Sequence, residues 1–418
     1  MAPTLFLDHH RKIFMNYKLT KESKILVTGG TGHLGASLIH YLVNELKIPS
    51  KNIRVFYLKN TPINSLSDIK DFKNLEFFPG NILNYEEVEN SIKNIDFVFH
   101  TVGNTTFDPK LKKIQWLVNV EGTRNILEAS IKSGSIKRIC YTSTVNSLGI
   151  PNPVGSIGDF DNSNPYTNKP KLHTFNSPKE TLEFIDKVHK GEIPKWWRKI
   201  GIGYFDSKLA AQELVLDYVK KHDLDVVSVL PGTMIGPYDY LISGAIYINS
   251  IYNNMIPAIL GGGMSLMHVM DAVEGHIMAM EKGKKGERYI ITGLEEDCLY
   301  LKDMVKIIAD VIKQQEPDHK VKIPKIVINK NIAMIVGLFI EIYGEIFNKP
   351  VLLSRDAVKT GSLPTFYSYK KAKNELGYIP KRTFKQGVIE EYLYLKSNNL
   401  LNQKIRNADK VVSNMMQP

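Results

Sequence analysis

From residue 24 onward, short runs of β-branched and aromatic residues alternate with longer stretches whose apolar positions recur every three or four residues. SKILVTG, NIRVFYL, LEFFPG, IDFVFHTVG and IKRICYTST are continuous apolar runs of strand length. ASLIHYLVNEL, NYEEVENSIK and WLVNVEGTRNILEASIKSG carry the helical period between them. Strands that are apolar on both faces and separated by helices specify a parallel sheet covered on both sides, with right-handed crossovers. After Thr144 the rhythm stops. Residues 151–202 are rich in Pro, Asn, Gly and Lys, with one short helix expected at 178–189; a loop that long inside a domain is usually functional or disordered. The helical stretch SKLAAQELVLDYVKKH (207–222) and the buried-strand run DVVSVLPGTMIGP follow, and further helices are expected at 301–315, 332–347 and 384–396.

The seam between the first strand and the first helix reads ILVTGGTGHLGASL. Gly29, Gly32 and Gly35 serve a tight turn, close approach of backbone to a pyrophosphate, and close packing of helix on strand. The anion then meets the N–H groups at the helix N-terminus. Strand before and helix after are the contexts that make this a dinucleotide-binding turn. At the end of the second strand, IRVFYLKN places Lys59 and Asn60 where an acidic residue would hold the ribose 2′-OH of NAD, and Arg54 stands earlier on the strand. A cation suits a 2′-phosphate, so NADP(H) is favoured and NAD(H) remains open. In FFPGNIL, Asn81 stands where the adenine edge would be read.

Composition changes this picture little. With 418 residues, 43% hydrophobic and 23% charged, the chain has room for one large core and an elaborated lobe. The net charge of +11 comes from lysines scattered along the sequence, which argues against nucleic acid as a partner. Cys140 and Cys298 build no disulfide framework or metal site, and a reducing, cytoplasmic setting is expected. The first 20 residues lack the apolar core of a secretory signal. IAMIVGLFIEIYGEIF (332–347) is the most apolar stretch, but two glutamates interrupt it and it is shorter than the ~20 residues of a span. It reads as a buried or partner-facing helix, or as a peripheral membrane contact.

TGGTGHLG, GNIL, FHTVG, NVEGT (119–123), YTSTVNSLG (141–149), YFDSK and LPGTMIGP (230–237), in this order, resemble the extended short-chain dehydrogenase/reductase pattern, the superfamily of NAD-dependent epimerases and dehydratases. GGGMSLMHVMDAVEGHIMAMEKGKKGERYIITG (261–293) and YSYKKAKNELGYIPKRTFKQGV (367–388) resemble its branch of dihydroflavonol reductases and 3β-hydroxysteroid dehydrogenases. The resemblance implies an α/β fold: a Rossmann-type doubly wound parallel sheet with a smaller C-terminal α/β substrate-binding lobe. It divides the chain into an N-terminal extension (1–23), a cofactor domain (24–235), a lobe with returning segments (236–400) and a tail (401–418). It also implies cofactor contacts at Thr31, His33 and Leu34 in the turn; at Ile82, Thr101, Val102, Gly103 and Asn119; and at Pro231, Gly232 and Thr233. A homodimer is compatible with it.

Five of the 20 tyrosines have a lysine four positions on: Tyr17, Tyr204, Tyr367, Tyr369 and Tyr392. Only Tyr204 follows a Ser/Thr-bearing strand and precedes a strand ending in Pro-Gly. The resemblance makes Tyr204 the proton donor or acceptor and Lys208, on the same helix face one turn later, the cation that lowers its pKa. A free phenol titrates near pH 10 and needs that help. The substrate oxygen would be held by Thr144 or its neighbour Ser143, which point to opposite faces; Thr144 is preferred. The 60 positions between Thr144 and Tyr204 exceed the family's usual interval, so 151–202 must loop out on the substrate side, with Trp196 and Trp197 as lid or as anchor. His268 and His276 read as packing or hydrogen-bonding residues, not metal ligands. The expected function is NADP(H)-dependent interconversion of a ketone and a secondary alcohol on an apolar small molecule, steroid-, flavonoid- or acyl-like. The alternatives are a nucleotide-sugar epimerase or dehydratase with tightly bound NAD, and a non-catalytic NADP(H) sensor or scaffold.

Overall fold

The computed structural model describes residues 16–161, 163–164, 180, 183, 203–349, 351 and 353–403. The alternating runs form seven parallel strands: β1 (Ile25–Thr28), β2 (Ile53–Tyr57), β3 (Glu76–Pro79), β4 (Phe97–His100), β5 (Arg138–Thr142), β6 (Val226–Pro231) and β7 (Arg288–Ile291). Their order is β7-β6-β5-β4-β1-β2-β3, which places the reversal of strand order between β1 and β4. Ligands of doubly wound sheets sit at the carboxyl ends of the strands at such a reversal. The central strands β1, β4, β5 and β6 are buried along their whole length, whereas edge strand β3 is partly exposed.

Helices α1 (His33–Asn44), α2 (Tyr85–Ile92), α3 (Lys112–Trp116), α4 (Gly122–Ser133), α5 (Gly203–His222) and α6 (Val269–Lys282) cover the two faces. One core packs Leu38, Ile39 and Leu42 of α1 with Val273 and Ile277 of α6 against the sheet. The other packs α2, α4 and α5 through Val88, Ile92, Leu127 and Leu214. The apolar period seen along these stretches is the stripe each helix turns inward. The N-terminal residues from Tyr17 are tied to the body: Tyr17 donates its N–H to the carbonyl of Glu281, and Leu19 is buried.

The chain leaves the large sheet at Pro231-Gly232. Pro231 ends β6, and Gly232 packs so closely on the next layer that a Cβ there would lie 2.7 Å from the carbonyl oxygen of Ser265. Thr233–Ile235 then opens a second sheet with Gly263–His268, Pro364–Tyr367 and Ile157–Gly158, and Cys298–Tyr300 joins it antiparallel to Gly263–His268. Part of the stretch after Thr144 therefore enters a sheet. Helices Leu301–Gln315, Lys330–Ile346 and Phe384–Ser397 stand within two residues of their expected bounds. The expected helix at 178–189 and the Trp196–Trp197 pair lie outside the described residues, apart from helical positions at 180 and 183.

Candidate active site

The glycine turn is shaped by what a side chain would hit. Gly29 has φ +69, and a Cβ there would meet the backbone of Val102 at 3.1 Å. A Cβ on Gly35 would lie 2.3 Å from the carbonyl oxygen of Gly29, so α1 seats directly on the turn. Gly32 caps α1, leaving first-turn N–H groups for an anion. Beside this turn a cleft is lined by Gly29, Thr31, Gly32, Ile82, Thr101, Val102 and Gly103, joined by Tyr57, Leu58, Thr61 and Leu241. A cradle that only glycine backbone leaves open, next to an apolar slot, suits a dinucleotide's phosphates and adenine.

Leu34 is in the core, and the His33 ring meets the carbonyl of Gly236 at 3.1 Å. Asn81 turns its side-chain oxygen to the N–H of Leu83. Lys59 is exposed just past the cleft-lining Leu58. Arg54 does not serve a 2′-phosphate: its guanidinium pairs with Glu76 at 2.8 Å and binds the carbonyls of Ser91 and Lys93. Its place near the amino end of β2 directs it away from the cleft, which the sequence alone does not disclose. Pro231, Gly232 and Thr233 make the exit from β6.

Tyr204 and Lys208 lie on the first turns of α5. Lys208 is 3% exposed; its Nζ donates to the carbonyl of Thr142 at 2.7 Å and stands 4.8 Å over the ring of Tyr141. Burial pulls its pKa down to about 7. Gly103 faces the same ammonium: a Cβ there would come within 3.9 Å of Lys208 Nζ and 3.6 Å of Asn119 Oδ1. Asn119 sits on a π turn (Leu117–Glu121) between α3 and α4 and is fully engaged. Its oxygen accepts from Asn104 N at 2.8 Å, and its Nδ2 donates to Asn104 O at 3.1 Å and Ser207 Oγ at 2.9 Å. Ser143 and Thr144 follow β5. Ser143 Oγ faces Ser147 Oγ at 3.5 Å, and Thr144 Oγ1 caps the turn Val145–Leu148 through Asn146 N. Phe107 stands edge-on to Tyr204 and Phe205, ring centroids 6.3 and 6.2 Å away, giving this side an aromatic rim.

The other four Tyr/Lys pairs serve packing. Tyr367 donates to the carbonyl of Gly149, while Lys371 and Lys396 pair with Glu287 and Glu316. Tyr17 packs edge-on against Phe97, and Tyr369 against Tyr378. His268 bonds Glu390 and accepts from Met270 N, and His276 meets Thr142 Oγ1 at 3.0 Å. A different set was not legible: His33, Asp239 and Glu391, all buried, bring their donor atoms within 4.8 Å of one another. Burial raises the Glu391 carboxyl well above its usual range and lowers the His33 imidazole, so both favour the neutral state. They knot the glycine turn to the lobe.

Fold and site together define a dinucleotide-binding oxidoreductase of the short-chain type. Residues 26–185 match the 3-beta hydroxysteroid dehydrogenase/isomerase family and residues 201–292 the NAD dependent epimerase/dehydratase family. A putative dihydroflavonol 4-reductase of Synechocystis sp. is 25% identical over 382 residues, 90% of this chain and 95% of its own. The anthocyanidin reductase of Arabidopsis thaliana is 25% identical over 324 residues, 72% and 83% of the two chains. The dTDP-glucose 4,6-dehydratase of Bacillus anthracis, solved in complex with NAD, shares the fold with a TM-score of 0.61 at 21% identity, over 90% of this chain and 97% of that one. The two family matches cover most of residues 26–292, and the chain is an NAD(P)-dependent oxidoreductase of the extended short-chain type. Among the described residues no helix is long and apolar enough to cross a membrane.

Proposed function

We propose that the protein interconverts a ketone and a secondary alcohol on an apolar small molecule, with NADP(H) as hydride partner and Tyr204 as proton donor or acceptor. The observation that carries this is the buried ammonium of Lys208, fixed by the carbonyl of Thr142 one helical turn from Tyr204. A nicotinamide dinucleotide held by the glycine turn would supply or accept the hydride at the carbonyl carbon. Tyr204 gives the proton to the oxygen or takes it back, and Lys208 stabilises the phenolate that results. Ser143 or Thr144 holds the substrate oxygen, either hydroxyl leaving its present partner to do so. The Phe107 rim favours an apolar substrate. The absence of an acidic side chain among Tyr57, Leu58, Lys59 and Asn60 supports NADP(H) over NAD(H).

Replacing Tyr204 by Phe tests the reading. Turnover of a panel of hydrophobic ketones, followed by NADPH absorbance, should fall by about a hundredfold or more while NADPH still binds. Unchanged turnover would refute the role. The match of 201–292 to the epimerase/dehydratase family favours a second reading, internal oxidation and reduction of a nucleotide sugar. Its mark is NAD retained at stoichiometry through purification, with no net NADPH consumption on any ketone.

A further inference from the structure

We infer that helix Lys330–Ile346 docks the protein on an anionic lipid surface, and that the substrate enters from that surface. The second half rests on the oxidoreductase reading above. This helix presents its bulk outward: Ile335, Phe339 and Ile346 are 58%, 66% and 69% exposed, and Ile326 and Phe347 beside it are 65% and 57% exposed. Its inward face is made of small residues. Ala333 is buried, Gly337 rests on the backbone at Arg355, and Gly344 on Val351. A core helix shows the opposite pattern, and contiguous exposed apolar surface of this kind marks an interaction face. Since no described helix can cross a membrane, the geometry is that of a helix lying in the interface.

The charge around this face selects the occupant. Lys322 and Lys325 precede the helix, Lys330 opens it and Lys349 follows it, all four exposed. Of the two glutamates on the helix, Glu341 is held by Arg355 at 2.7 Å, and Glu345 is exposed. The whole chain carries +11. An apolar face flanked by exposed lysines complements anionic headgroups.

The face adjoins the candidate active site. Just past the helix, the carbonyl of Lys349 accepts from Lys110 Nζ at 2.8 Å and Val351 donates its N–H to Asp108 at 3.2 Å. Asp108 follows Phe107, the residue edge-on to Tyr204. Helix Arg355–Gly361, which packs on the docking helix, sends Asp356 to the N–H of Gly203. A substrate leaving the acyl region would thus be delivered on the side of the molecule that carries Tyr204.

The full-length protein is mixed with vesicles of phosphatidylcholine alone, or with about a third phosphatidylserine, and sedimented. Binding to the anionic vesicles should be at least about tenfold tighter and should weaken with salt. Phe339→Glu with Ile342→Glu should reduce it at least about tenfold, and Lys325→Glu with Lys330→Glu should erase the anionic preference, NADPH binding staying intact in both. Absence of vesicle binding, or binding that neither pair changes, overturns the inference. So does a concentration-dependent dimer that the first pair splits, because a second copy would then cover the face. A ketone dissolved in anionic vesicles should be reduced faster than the same ketone in detergent, an advantage the first pair removes; equal rates overturn the delivery step. Tyr204→Phe separates the two readings: if the catalytic role is right it loses turnover and still binds vesicles, and if that role is wrong vesicle binding stands on its own.

Discussion

The carboxylate of Asp356 accepts the backbone N–H of Gly203 at 3.3 Å, directly ahead of Tyr204, although the two residues lie 153 positions apart. The same oxygen takes Lys112 Nζ at 2.6 Å. A side chain of the lobe therefore holds the backbone directly ahead of the proposed proton donor, a place from which it would position Tyr204. Asp356→Ala should cost about 1–2 kcal/mol in thermal or urea unfolding. It should also lower kcat by about threefold to tenfold with little change in NADPH affinity. Asp356→Asn, which keeps an acceptor, should recover most of kcat. A change confined to the cofactor's KM would show that Asp356 does not act through Tyr204.

What could be read from the sequence was what is local. The spacing of Gly29, Gly32 and Gly35, the one-turn offset of Tyr204 and Lys208, and the all-apolar strands are short-range patterns, and backbone geometry converts each directly into structure. Arg54 shows the limit. Its place on β2 was legible, but the amino-end partners that hold it, Glu76 and the carbonyls of Ser91 and Lys93, come from other elements. Asp356, the Asn119–Asn104–Ser207 network and the His33–Asp239–Glu391 knot are likewise set by tertiary packing. The second sheet was hidden for the same reason: Ile157–Gly158 is too short to declare itself until Phe366 and Tyr367 pair with it.

With the proposed role of Lys208, cofactor binding should be sensitive to pH. Burial holds its pKa at about 7 in the free protein. An anionic dinucleotide next to the ammonium favours the charged form, so the complex has the higher pKa. Binding then takes up a proton at pH values above 7, and affinity weakens as pH rises from there, by at most about tenfold per unit. Calorimetry of NADPH binding near pH 8, in two buffers of different ionisation enthalpy, should register this uptake, and Lys208→Met should abolish it. An uptake of zero in the unaltered protein would place the titration elsewhere.

Two buried histidines set an acid limit on stability. Burial lowers His100 to about 3, with the Lys208 charge adding to the effect, and burial lowers His276 to about 4. Unfolded histidine titrates near 6.5, so below that pH the unfolded chain binds protons that the folded one refuses. The stability they contribute is complete above about pH 6.5 and is lost as pH falls. Urea midpoints compared between about pH 7 and pH 5 should show a loss of about 2–4 kcal/mol from this pair. His276→Gln should flatten that slope by about half.

Gly35 tests whether the turn is built for a ligand or only for packing. A Cβ at this position would lie 2.3 Å from Gly29 O and 2.9 Å from Gly30 Cα, so α1 or the turn must shift, at a cost of about 1–3 kcal/mol. The shift displaces the first-turn N–H groups that would face the pyrophosphate, and NADPH affinity should drop at least about tenfold. Gly134→Ala is the matching control. Gly134 has φ +62 with open space where a Cβ would go, at the C-terminal end of α4, and alanine there should cost about 1 kcal/mol of stability through backbone strain alone. If both variants are destabilised but only Gly35→Ala loses NADPH, the close approach of α1 to the turn is what creates the phosphate cradle. Equal NADPH affinity in the two would mean that the dinucleotide does not rest on this turn.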